Sequence, residues 1–196
     1  QLHRSVLERV QRVAPFLRFP ESPYPVVHQG RVVWVVEGFT GTRYFPLARP
    51  FELEFRRPVA YARNSVKVTV DAVTGELAFY ALPGDDPLLD GWRAAYPGLI
   101  RPLEEMPAGL RDHLRYPQVL LSLQAEVLLQ YHQETAQTFF EQEEQWALSR
   151  EMGQNTNPVP YRPEYAIVQF PGDEAPHFQV STVFVPAGRD NLTGLL

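Results

Sequence analysis

The sequence predicts an α+β fold, with a mostly antiparallel sheet and a central block of helices, two of them long and two or three short. Strand patterns occur in residues 19–82 and 164–188, whereas residues 86–152 show the helical spacing of apolar side chains. A chain of 196 residues is long enough for one core of ordinary size or for two small domains. We therefore expect a single domain over residues 1–196.

The clearest strand pattern is a β-hairpin followed by the start of a helix. Apolar and polar residues alternate over 65–71, which is typical of a strand with one buried face. Gly75 supplies a turn residue that adopts a positive φ at no steric cost, and residues 76–82 return as the second strand. Asp86 and Pro87 then match the N-cap and the first position of a helix. The side predicted to be buried carries Val66, Val68 and Val70, and the other side carries Ser65, Lys67, Thr69 and Asp71.

The remaining elements follow from apolar spacing and from the positions of Pro and Gly. Helices are expected over 5–17, 88–96, 106–114, 118–133 and 135–152, with a further helix start at 189–191. Strands are expected over 32–36, 51–55, 165–170 and 178–185, with Gly38 and Gly41 ending the strand that begins at Val32. Side chains expected to face inward on the two long helices are Leu120, Leu121, Leu123, Val127, Leu128, Leu129, Tyr131, Phe139, Phe140, Trp146 and Leu148.

Composition excludes several classes of protein and of site. The net charge of −5 argues against a general nucleic-acid binder, which needs a basic surface. The absence of Cys excludes disulfides, thiolate chemistry and Cys-based metal sites. No run of about eighteen apolar residues occurs, so no segment of this chain is expected to span a bilayer. Both ends look cut, and we interpret the chain as a piece of a longer protein.

No sequence pattern assigns a catalytic residue, a cofactor or a metal. The five His residues show no metal-ligand spacing, and neither a Gly-x-Ser-x-Gly elbow nor a Gly-rich phosphate loop is present. Asp85, Asp86 and Asp90 suggest a calcium loop, but their spacing does not fit an EF-hand. Helix capping already explains Asp86.

A small set of polar residues is a candidate for contact with a ligand or partner. Arg63, Asn64 and Lys67 are the best candidates for an anion contact; the alternatives are ion pairs or an exposed sheet face. For His113 the alternative is a position on a helix surface, and for His132 it is contact with carbonyls at the end of its helix. The complete candidate set is Arg63, Asn64, Lys67, His113, Arg115 and His132.

Several phrases of the sequence resemble one known family. The phrases lie at residues 13–17, 24–27, 31–34, 61–67, 96–99, 113–117, 124–127, 131–132, 184–186 and 189–191. Together they resemble uncharacterised protein family 0182, large bacterial multi-pass membrane proteins with a long extracytoplasmic region. The resemblance implies a soluble domain outside the cell membrane, tethered by membrane-spanning helices upstream of this chain. No catalytic residues are established for the family, so none is transferred.

Two classes of function remain open at this point. The first is a non-catalytic extracytoplasmic domain that serves binding, assembly or sensing, with an envelope protein or polymer as partner. The second is a cell-envelope hydrolase, or a modulator of an envelope protease, since residues 66–77 are similar to the hairpin of PepSY domains. The first is favoured because no nucleophile–base or metal constellation is apparent.

Overall fold

The protein is described here by a computed structural model, which covers residues 5–51, 58–133, 135–141, 145–152, 158–187 and 194–196. The chain groups into two compact units, residues 1–115 and 116–196. Helices and mostly antiparallel strands occur in both units, so the α+β prediction is confirmed. The expectation of one domain over the whole chain stays a prediction. None of the described helices is long and apolar enough to cross a membrane.

The first unit is built on a five-stranded sheet. Strands β1 to β4 are antiparallel neighbours in chain order, and β5 pairs with β4 in parallel after a crossover through helix α2. The elements are α1 (Val6–Val13), β1 (Tyr24–His28), β2 (Arg31–Thr42), β3 (Tyr61–Asp71), β4 (Leu77–Ala81), α2 (Pro87–Ala95), β5 (Ile100–Pro102), a 3-10 turn (Leu103–Glu105) and α3 (Ala108–Arg111).

The predicted hairpin is confirmed as strands β3 and β4. Val68 lies opposite Phe79, and Val70 lies opposite Leu77. The turn between them uses Gly75 at φ 72°, a left-handed conformation that glycine adopts without strain. The carboxylate of Asp71 accepts hydrogen bonds from the backbone N–H groups of Val73 and Thr74, at 2.9 and 2.8 Å. Side chain and glycine together close the turn.

Both faces of the sheet are buried, which contradicts the prediction of one buried face for β3. One face packs against α1 and α2 and holds the first hydrophobic cluster, made of residues such as Val10, Val66, Val68, Phe79 and Leu89. The other face holds a second cluster, which includes Tyr24, Val26, Val35, Tyr80, Met106 and Leu110. Ser65, Lys67 and Thr69, which the alternation assigned to the exposed side of the strand, all lie in the interior instead of in solvent.

Other boundaries in this unit also differ from the prediction. Strand β2 does not end at Gly38 but continues to Thr42, with a register shift after Gly38. A side chain at Gly38 would come within 3.1 Å of the Val66 Cβ atom, so the glycine permits close approach of the strands and does not end one. The helix predicted over 106–114 is limited to α3. Most of the strand predicted over 51–55 lies outside the described residues.

The second unit combines one long helix with short sheets. Its sheets have the orders β12-β11-β6, β10-β9 and β7-β8, all antiparallel. The elements are α4 (Gln118–Tyr131), α5 (Ala136–Glu141), β6 (Trp146–Leu148), β7 (Arg150–Met152), β8 (Pro158–Pro160), β9 (Glu164–Val168), β10 (His177–Ser181), β11 (Val183–Pro186) and β12 (Gly194–Leu195).

The prediction of a second long helix over 135–152 is wrong. Helix α5 ends at Glu141, and residues 146–148 form a strand that pairs with residues 184–186. This long-range pairing overrides the local helical spacing of the apolar residues. Phe139 and Phe140, expected to face inward, are exposed. In α4 the buried residues are Val119, Leu121 and Ala125, so only Leu121 of the predicted set is buried. The helix start predicted at 189–191 lies outside the described residues.

Candidate functional site

An ion pair lies inside the second face of the sheet in the first unit. Glu37 on β2 and Lys67 on β3 are direct cross-strand neighbours. The Lys67 Nζ atom lies 2.5 Å from Glu37 Oε2, and the two side chains are 3% and 5% exposed. Lys67 also donates to the backbone oxygen of Arg115 at 2.8 Å, and Asn64 Nδ2 donates to Glu37 Oε2 at 3.0 Å. We call Glu37, Asn64, Lys67 and the Arg115 carbonyl the buried ion-pair cluster.

Burial dominates the electrostatics of this pair. Removal from water raises the pKa of Glu37, and the opposing effects of the Lys67 charge and of hydrogen bonds from Lys67 and Asn64 are smaller. Removal from water likewise lowers the pKa of Lys67 against the smaller opposing effect of Glu37. Glu37 Oε1 is buried and has no hydrogen-bond partner among the described residues. The charges therefore hold each other in place at a desolvation cost.

Arg115 ties the end of the first unit to the sheet edge. Its backbone N–H donates to the hydroxyl of Tyr24 at 3.2 Å, and its guanidinium lies over the Tyr24 ring, 4.3 Å from the ring centroid. Its carbonyl accepts from Lys67, as described above. Arg115 therefore joins the ion-pair cluster through its main-chain carbonyl, whereas its guanidinium packs on Tyr24.

A second polar cluster surrounds Asp86, the predicted N-cap of helix α2. Its Oδ1 atom accepts the backbone N–H groups of Leu88 and Leu89 at 3.1 and 3.3 Å, which confirms the cap. Its Oδ2 atom accepts from the hydroxyl of Thr40 at 2.5 Å and from the hydroxyl of Ser65. The Tyr61 hydroxyl donates to Oδ1 at 3.3 Å. Asp86 thus joins α2 to strands β2 and β3.

The hydrogen bonds of this cluster keep Asp86 ionised. Burial alone would raise its pKa, but the bonds from Ser65 and Thr40 and from the two backbone N–H groups outweigh burial and lower the pKa. The pKa of Tyr61 is raised, first by burial and then by the adjacent charge of Asp86. We call Thr40, Tyr61, Ser65 and Asp86 the Asp86 cluster.

The Arg63 side chain forms hydrogen bonds with the backbone of the loop that leads into α2. Its guanidinium donates to the backbone oxygen of Asp85 at 2.8 Å and to that of Pro83 at 3.3 Å. A side chain at Gly84, which has φ 112°, would overlap the same guanidinium. Arg63 therefore caps this loop and is not directed at the ion-pair cluster.

The two candidate His residues bond within their own helical segments. In His113 the Nδ1 atom is 2.8 Å from the Gly109 carbonyl oxygen, and in His132 it is 3.1 Å from that of Leu128. The His132 ring also stacks on Trp146, with ring centroids 4.3 Å apart. His113 belongs to the first unit and His132 to the second. Contact with helix carbonyls was the alternative foreseen from the sequence for His132, and a position on a helix surface was the alternative for His113.

The structure brings together three of the six candidate residues. Asn64, Lys67 and Arg115 meet at the ion-pair cluster, whereas Arg63, His113 and His132 bond elsewhere. A role in contacting a ligand stays a prediction for all six. Sequence reasoning missed Glu37, although a carboxylate directly after the apolar run 32–36 was a usable signal. Within the described ranges no three His, Asp or Glu side chains lie close enough to share a metal ion.

Comparison with known proteins places the chain in a family. A family model described as an uncharacterised protein family (UPF0182) matches residues 1–196. The chain belongs to this family. A UPF0182 protein from Alkaliphilus metalliredigens is 35% identical over 193 residues, which are 98% of this chain and 20% of that protein. A UPF0182 protein from Solibacter usitatus is 38% identical over 100% of this chain and 22% of its own length.

The UPF0182 relatives are much longer than this chain. A third relative, from Methanospirillum hungatei, is 36% identical over 98% of this chain and 22% of that protein. The chain therefore spans about a fifth of the length of the curated relatives it matches. No solved structure matches it.

Proposed function

We propose that residues 1–196 form a domain on the extracytoplasmic side of a multi-pass membrane protein, with a non-catalytic role in binding, assembly or sensing. The location is proposed from the sequence resemblance to large membrane proteins. The much greater length of the curated relatives supports it, because it leaves room for membrane-spanning segments elsewhere in the polypeptide.

The observation that carries the non-catalytic part is that the charged groups of the two polar clusters are buried and bonded to one another or to the backbone. A general acid or base must reach the proton that it transfers. Lys67 and Glu37 instead face each other across two strands, and both are almost completely buried. Asp86 accepts two helix N–H groups and three hydroxyls. These groups stabilise a scaffold and leave no carboxylate or amine of either cluster directed at a substrate.

The location is tested by labelling the full-length protein in intact cells. Residues 1–196 contain no Cys, so a single introduced Cys reports on one position of this domain. Val73, at the β3–β4 turn, is 83% exposed, whereas Val68 is fully buried. We expect a membrane-impermeant maleimide to label Val73→Cys in intact cells and Val68→Cys only after denaturation. The unsubstituted protein gives the background from cysteines elsewhere.

Labelling of Val73→Cys only after the membrane has been breached would place the domain in the cytoplasm. The non-catalytic part has its own test, a panel of generic ester, peptide and glycan substrates. We expect no turnover. Turnover that is lost in His132→Ala would favour the alternative, a cell-envelope hydrolase.

A further inference from the structure

The hairpin of strands β9 and β10 presents a continuous apolar face. Residues opposite each other in the register share a face, as do alternate residues along each strand. One face consequently carries Tyr165, Ile167, Phe178 and Val180, and the other carries mainly polar or small residues. The rings of Tyr165 and Phe178 stack, with centroids 5.4 Å apart. We call the first face the apolar hairpin face.

The base of the apolar hairpin face is anchored within the second unit. The Tyr165 hydroxyl donates to the Tyr116 carbonyl at 2.7 Å, next to the start of α4. Farther along the hairpin, Ile167 is 75% exposed and Phe178 is 54% exposed. Among the described strands, β9 and β10 pair only with each other. A two-stranded sheet is marginally stable in water unless its hydrophobic face is packed against another element.

We propose that the apolar hairpin face docks on an apolar surface of the same polypeptide outside residues 1–196. About four-fifths of the length of the curated relatives lies outside the part that matches this chain. A covering surface in the same molecule is present at high effective concentration, because both partners belong to one chain. The inference depends on this length and not on the extracytoplasmic location proposed above.

Two other occupants are disfavoured. Residues 164–187 contain Glu164, Asp173 and Glu174 and no Lys or Arg. An anionic lipid surface attracts basic segments, so it would repel this hairpin. A second copy of the chain would lack the high effective concentration of a surface in the same polypeptide.

The test is site-specific photo-crosslinking in the full-length protein in its membrane. A photoreactive phenylalanine analogue replaces Ile167 or, as the more conservative variant, Phe178. The matched control replaces Ala166, which is exposed on the opposite face of the same hairpin. We expect crosslinks from the apolar positions to peptides of the same molecule outside residues 1–196, in a product that migrates as a monomer. Their yield should exceed that of the control by about tenfold, because such probes react only at contact distance.

Other results would overturn the proposal. These are crosslinks mainly to a second copy, to lipid or to a different protein, or to residues within 1–196. Yields at Ile167 and Phe178 no greater than that at Ala166 would overturn it as well. None of these results alters the cysteine-labelling outcome, so the two proposals fail independently.

Discussion

At the scale of single residues, the fold depends on charges that are hidden from water. Lys67 is the only lysine of the chain, and it lies inside the sheet against Glu37. Replacing both members of a buried pair with uncharged groups is often neutral, whereas removing one member leaves an uncompensated charge. A single substitution in this pair should therefore lower the stability of the protein much more than a double substitution does.

Lys67→Met should lower the free energy of unfolding by about 3 to 5 kcal/mol at neutral pH, since Glu37 stays buried without its cation. The double variant Lys67→Met/Glu37→Gln should recover most of this loss, because the amide oxygen still accepts from Asn64.

The loss in Lys67→Met should also depend on pH, because removal of the ammonium raises the already elevated pKa of Glu37 further. A folded-state pKa above the unfolded value lowers stability as pH rises through that interval. Urea denaturation should thus show a smaller loss at about pH 5 than at about pH 8.

The matched control is Arg31→Met, which breaks the Arg31–Asp71 salt bridge between the start of β2 and the end of β3. That bridge measures 2.8 Å, but Arg31 is more than half exposed, so little change is expected. A Lys67→Met protein as stable as the unsubstituted chain at pH 8 would contradict the prediction. So would a double variant no more stable than the single one.

At the scale of elements, the Asp86 cluster fixes the position of α2. The helix has nine residues and few internal hydrogen bonds, so it depends on its cap. The same carboxylate holds the hydroxyls of Thr40 and Ser65 on two neighbouring strands. One side chain therefore joins the crossover helix to the middle of the sheet.

Asp86→Ala should destabilise the protein by about 3 kcal/mol, from loss of the cap and from two buried hydroxyls left without their acceptor. Asp86→Asn should cost less, since its amide oxygen still accepts the helix N–H groups. Because the folded-state pKa of Asp86 is lowered, its contribution is complete above about pH 4 and is lost as pH falls through the folded-state value. Denaturant melts across this range should show a shallower pH dependence for Asp86→Asn than for the unsubstituted protein.

Asp85→Ala is the control for this helix start. The Asp85 side chain is exposed, and only the backbone oxygen of this residue accepts the hydrogen bond from Arg63. Asp85→Ala should therefore change the free energy of unfolding by less than about 0.5 kcal/mol. A larger loss for Asp85→Ala than for Asp86→Ala would show that the cap has been assigned to the wrong residue.

At the scale of the whole molecule, the two units differ in how their strands are covered. Strands β2 and β3 are inner strands of a sheet with a hydrophobic cluster on each face. In the second unit, β9 and β10 form a two-stranded sheet with exposed apolar side chains. Amide exchange follows local opening, which is costly in covered central strands and easy where few apolar contacts are made.

Hydrogen exchange of the 196-residue chain, read by mass spectrometry, should follow this difference. We expect amides of β2 and β3 to exchange at least about a hundredfold more slowly than those of β9 and β10. Outer strands β1 and β5 of the first sheet provide the internal comparison and should be intermediate. Equal protection of β9–β10 and β2–β3 would contradict the assignment.

Signals that span only a few residues were correctly interpreted from the sequence. The existence of a strand over 65–71, the turn at Gly75 and the cap at Asp86 are each set by neighbours within a turn or a strand. The family was also evident from short phrases spread along the chain. Local conformational preference and binary pattern are sufficient for features of this kind.

Only the tertiary structure decided which polar groups meet and which faces are covered. Glu37 and Lys67 are 30 residues apart, and Thr40 and Asp86 are 46 residues apart. No local pattern records such pairings, so the polar side of β3 was assigned to solvent and residues 146–152 were assigned to a helix. The physical reason is the same in both cases, since burial and strand pairing depend on distant segments and outweigh local spacing wherever the two conflict.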